Sequence, residues 1–127
     1  MTRTVTVVLA VAFGVYDTGL GLWAFLGPES FYASIASFPP YNQHLLHDLG
    51  AFLAGLGVGL LFGLRDRRWL VAAAAANAAA GLLHLVAHVE DAGLGGHVYD
   101  VPVVALLAVL GLLLFGAALA PAVRGGS

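Results

Sequence analysis

Two runs in this chain place residues of the right types at the right spacing for chemistry. His44, His47 and Asp48 stand in YNQHLLHDLG (41–50), and His84, His88 and Asp91 stand in LLHLVAHVEDA (82–92). Histidines three or four positions apart on a helix project about 6 Å from one another on one face, close enough for two imidazoles to hold one ion. Two such pairs on antiparallel helices, with carboxylates beside them, supply four to six donors of the kind that bind Zn²⁺, Fe²⁺ or Mn²⁺ inside a helical bundle. The expected metal ligands are therefore His44, His47, Asp48, His84 and His88. Asp17 is a third suspect, because it sits alone in the long apolar run between Arg3 and Gly27. A cation held by the histidines would activate water or O₂, and Asp17 or Asp48 would then be the catalytic base.

The elements that must position these residues are legible in the composition. The chain has 127 residues, 61% of them apolar and 9% charged, against about 25% charged in an ordinary soluble domain. Too little polar surface exists to cover a water-soluble fold. Four apolar runs have the length of about twenty residues that spans a hydrocarbon core: 4–26, 43–64, 69–89 and 98–119. Every backbone group in lipid must be satisfied within its own segment, so these are helices, and the uniform run Ala72 to Ala76 has none of the alternation a barrel strand needs. The expected fold is all-α: an integral membrane four-helix bundle forming a single domain over 1–127. The segment 27–42 between the first two spans, rich in proline and serine, is expected to be a non-helical cap.

Arginine sets the orientation. There is no lysine, and Arg3, Arg65, Arg67, Arg68 and Arg124 all fall on one side of a four-span threading. The positive-inside rule puts that side, with both termini, in the cytoplasm of a bacterial cell, and makes the protein a multi-pass inner-membrane protein. No basic stripe marks a nucleic-acid partner. The absence of cysteine excludes disulfides and thiolate metal sites.

In this threading the histidines converge on the outer side. His44 and His47 lie in the first turns of the second span and His84 and His88 in the last turns of the third. At about 1.5 Å per residue, His47, Asp48 and His84 sit roughly 8 to 9 Å below the helix ends, and Asp17 about 13 to 15 Å. Angular position adds three inward stripes. The first span offers Ala10, Gly14, Asp17, Gly21 and Ala24; the second, His44, His47, Asp48, Phe52, Gly55 and Gly59; the third, Leu70, Ala74, Asn77, Gly81, His84, His88 and Asp91. An ionisable group at the depth of Asp17 costs about 3 kcal/mol to insert, so it faces the interior and takes a partner: a histidine above it, or Asn77. His97 and Asp100 begin the fourth span at the same surface, as a loop histidine or lid ligand and a helix cap respectively.

PYNQHLLHDLG and LLHLVAHVEDA resemble a pattern of small, uncharacterised four-helix membrane proteins of high-GC bacteria. In these an N-x-H-L-L-x-D-x-G helix start is followed by an H-L-x-x-H helix end. Asn42, His44, Asp48, Gly50, His84 and His88 fit the pattern; His47, Leu83 and Asp91 depart from it. The resemblance implies a shared site on the second and third spans and carries no activity with it.

Four readings of the cluster compete: a divalent metal centre, bis-histidine haem ligation, a metal-free proton relay or polar headgroup site, and a set of interfacial helix caps. At the level of function they become a membrane enzyme acting on a lipid or isoprenoid, a metal-handling module, or a structural subunit of a homo-oligomer or larger membrane complex.

Overall fold

A computed structural model describes residues 3–120, and Arg124, whose placement the orientation argument uses, lies outside them. The described chain is all-helical, with α1 (Arg3–Leu26), α2 (Pro28–Ser34), α3 (Gln43–Gly63), α4 (Arg67–Glu90) and α5 (Asp100–Leu119). The four longer helices are long and apolar enough to cross a membrane. Their ends match the expected spans to within two residues, the largest shifts being at the start of α4 and of α5.

The expected non-helical cap needs correction at 28–34. Pro28 does not break structure there; it occupies the first turn of α2, where its missing N–H has no partner to lose, and Glu29 in the same turn suits the positive end of the helix dipole. Only 35–42 is irregular. Trp23 holds α2 in place, its indole N–H donating to Ser30 Oγ at 2.8 Å and its ring meeting Phe31 edge-on at 5.5 Å.

Around the bundle the order is α1, α3, α4, α5, with α1 and α4 on a diagonal. Two helix pairs make it up. The α1 and α3 backbones touch through glycine: a Cβ on Gly21 would run into the Ala54 amide nitrogen, and one on Gly57 would come 2.5 Å from the Thr18 amide nitrogen and 2.6 Å from the Gly14 carbonyl. Small residues at such crossings let two backbones approach where lipid gives no hydrophobic push. The α4 and α5 pair is looser, and a Cβ on Gly81 would make ordinary contact with Ala108 at 3.6 Å.

The two pairs are fastened to each other at the end that carries Arg65, Arg67 and Arg68. Ala10, Phe13, Leu60, Leu70, Ala74, Leu114 and Ala118 form one buried cluster there. Asp66 caps α4 by accepting from the Arg68 amide at 2.7 Å. Arg67 reaches back to the end of α5, donating to the carbonyls of Ala118, Leu119 and Ala120 at 3.1, 2.7 and 2.7 Å. These are carbonyls a helix end leaves without partners, and a guanidinium also suits the negative end of the dipole. Arg67→Ala should therefore lower the melting temperature of the detergent-solubilised protein, by about 1 kcal/mol of stability. Arg68→Ala, which removes no such contact, should leave it unchanged, and equal effects would show that the clamp contributes nothing.

Candidate functional site

At the opposite end the helix pairs separate around a cavity of about 720 Å³. Its walls are aliphatic and aromatic: Leu20 of α1, Leu49, Phe52 and Leu53 of α3, and Val104 and Leu107 of α5. Polar groups stand at two levels, and each level has a cause in the sequence.

The floor is Asp17 and Asn77. Both are nearly inaccessible, at 5% and 7% exposure, and the Asn77 amide donates across the diagonal to Asp17 Oδ2. Thr18, the neighbour of Asp17, donates to the Gly14 carbonyl of the same helix at 2.6 Å. Every residue of the expected α1 stripe, Ala10, Gly14, Asp17, Gly21 and Ala24, is buried, as are Leu70, Ala74 and Asn77 of the α4 stripe. Of the two expected partners for Asp17, a histidine or Asn77, it is Asn77 that pairs with it.

The upper wall carries His84 and His88. Their rings meet edge to face at 4.6 Å, and the His88 ring is also edge-on to Phe38 at 5.5 Å. Both line the cavity, and His84 is exposed because the space in front of it is open. Asp91, at the C-cap of α4, is exposed and does not line it.

The second-span motif goes elsewhere. His44 Nε2 lies 3.5 Å from Asp48 Oδ2, with side chains 86% and 54% exposed, and His47 turns toward α1 to lie against the Phe25 ring at 5.1 Å. None of the three lines the cavity. The inward face of α3 is instead Leu46, Gly50, Gly57, Leu60 and Gly63, so the stripe expected through His44, Asp48, Phe52, Gly55 and Gly59 is displaced by part of a turn. The physical reason is depth. Polar residues in the first turns of a helix are readily left exposed, whereas the close crossing with α1 needs glycine at Gly50 and Gly57, where a Cβ would meet the α1 backbone. Consequently the two histidine motifs do not meet, and among the described residues no three His, Asp or Glu side chains are grouped so as to hold a metal.

The lid escaped the sequence reading. Gly96 donates its N–H to the Ser37 carbonyl at 3.1 Å, Ser37 Oγ lies 3.3 Å from His97 Nε2, and the His97 N–H donates to Asp100 Oδ2 at 2.7 Å. Gly96 adopts φ +77°, a backbone region costly for other residues, and a Cβ there would strike Phe38 and Asp100. Asp100 thus braces the turn before α5, and His97 is a latch between two loops. Asn42 likewise has a structural post, capping α3 by accepting from the Leu45 amide at 3.0 Å. Nothing in the run Ser37-Phe38-Pro39-Pro40 announces a partner sixty positions away.

No protein-family model, curated protein or solved structure matches the chain. The site has to be read from its own geometry.

Proposed function

We propose that the protein is an integral membrane four-helix bundle that holds an apolar small molecule, lipid or isoprenoid in character, in the cavity at its capped end. The observation that carries this reading is the cavity itself: apolar walls, a volume within the range of small-molecule sites, and a few polar groups confined to its floor and upper wall. The outward surface fits a bilayer, since residues such as Val8, Val15, Leu83 and Val109 are exposed along the long helices. Several cavity residues, Tyr16, Leu45, Phe52 and Val103 among them, are also exposed, which supports sideways entry from lipid. In this reading the arginine end is cytoplasmic and the cavity lies in the outer leaflet of a bacterial inner membrane.

Binding is tested with a solvatochromic apolar dye and protein in nanodiscs. The wild type should enhance its emission saturably over empty discs, and the double variant Leu53→Trp/Val104→Trp, which fills the cavity from two walls, should abolish the enhancement. Equal emission from wild type and filled variant would mean that the cavity is not the binding site. Orientation is tested separately: a reporter inserted at Ser34 should read external and one fused at Gly126, outside the described residues, cytoplasmic. The reverse readout would overturn the placement in the outer leaflet.

A second reading keeps the metal in reduced form. His84 and His88 are adjacent on one wall, so a cation there would take two protein ligands and complete its shell from water or from the occupant. Metal content should then fall in His84→Ala and His88→Ala and remain at wild-type level in His44→Ala and Asp48→Ala. A loss in the α3 variants would restore the convergent site instead, and a Soret band in the purified protein would replace both by haem.

A further inference from the structure

We infer that the occupant carries an ammonium group, which docks on Asp17 while its apolar body fills the cavity above. This rests on the reading of the cavity as a binding site and adds the chemistry of the ligand. Asp17 lines the cavity at its floor, buried to 5% exposure, and its only hydrogen-bond donor among the described residues is the neutral amide of Asn77. No arginine or histidine among the described residues pairs with it; the histidine–carboxylate contact, His44–Asp48, lies on another surface. A carboxylate away from water is costly without a cation, and the little surface that Asp17 keeps belongs to a residue lining the cavity.

The remaining charges point the same way. The ionisable groups on the cavity besides tyrosine are Asp17, Asp100, His84, His88 and His97, with no arginine among them. The described arginines lie at the other end, and the chain has no lysine. An anionic headgroup would thus meet two carboxylates and no fixed cation, whereas an amine meets an acceptor at the floor. From the level of Asn77 to that of His88 is about 16 Å along α4. The body of the ligand is therefore long and apolar, and the imidazoles lie beside its far end.

Decylamine, decanol and decanoate share one tail and differ in the head. Each is equilibrated by dialysis with full-length protein in phosphatidylcholine nanodiscs, and binding is taken as the excess over empty discs. Decylamine should bind about tenfold or more tighter than decanol, the margin expected of a charge-assisted hydrogen bond, with decanoate weakest. Asp17→Asn should bring decylamine down to the level of decanol and leave decanol unaffected, while Asp17→Glu should retain the preference. Asp100→Asn, at the lid, should retain it as well. Decanol binding as tightly as decylamine, or a preference that survives in Asp17→Asn, overturns the ammonium assignment and leaves the cavity reading intact. If no probe exceeds empty discs, both fail. Should Asp17→Asn not fold, the order of the three probes on the wild type decides the matter.

Discussion

Gly21→Val and Gly57→Val should each leave little or no folded protein, while Gly19→Val and Gly55→Val on the same two helices should fold normally. At Gly21 and Gly57 a new side chain would meet the backbone of the facing helix, with two backbone atoms at each position within 2.6 Å of the added carbon. A flexible side chain can move aside; a helix backbone cannot without opening the whole α1–α3 contact. Ordinary overpacking costs about 1–3 kcal/mol, and a crossing that must open along its length exceeds that. At Gly19 and Gly55 no atom lies within 4 Å of the added carbon, so valine there projects into free space. The yield of monodisperse protein after solubilisation, with thermal melts followed by circular dichroism, checks all four. Tolerance at Gly57 would mean that α1 and α3 are not packed through this face.

Asn77→Leu should destabilise the bundle more than Asp17→Leu does, and the double variant Asp17→Leu/Asn77→Leu should be more stable than Asn77→Leu alone. Removing Asn77 strips the buried carboxylate of its donor, and losing a hydrogen bond to a charged group costs about 1.5–3 kcal/mol. Removing Asp17 instead takes an ionisable group out of the middle of a long apolar helix, relieving the cost of burying it and leaving only a neutral amide to be satisfied. The two residues act as a unit, so their effects should not add. Unfolding of all four proteins in the same detergent measures the coupling. Additive losses would show that the diagonal contact contributes nothing to stability. The preference for decylamine over decanol should vanish in both Asp17 variants whatever their stability, since the acceptor at the cavity floor is gone.

The α1 and α4 stripes were readable in the sequence because each contains a polar residue in the middle of a long apolar run, Asp17 or Asn77, and a single such residue, buried in the fold, fixes the rotation of its helix. On α3 the same logic misled. The stripe through His44 and Asp48 is expected to face inward, but both lie within two turns of the helix start, where polar side chains are readily left exposed. The better signal was in glycine. Gly14 and Gly21 on one helix, and Gly50 and Gly57 on the other, repeat at seven-residue spacing, which marks a continuous seam of close approach. Hydrophobicity could not have shown this, because α3 is apolar on every side. The lid was beyond reach for a different reason: the bonds that join Ser37 to Gly96 and His97 come from folding, not from any local pattern.

Fastening the two helix pairs at one end turns the bundle into a pair of levers. The Arg67 clamp and the cluster around Leu60 and Leu114 form the fulcrum, and α4, at 24 residues, is an arm about 36 Å long. A turn of about 5° at the fulcrum displaces the far end of such an arm by about 3 Å. That is enough to change the bore of the space between the pairs while every contact at the base stays made. The far ends of these arms are joined by the lid, through the Gly96–Ser37 and Ser37–His97 contacts, so those few bonds hold the width at which the cavity stands.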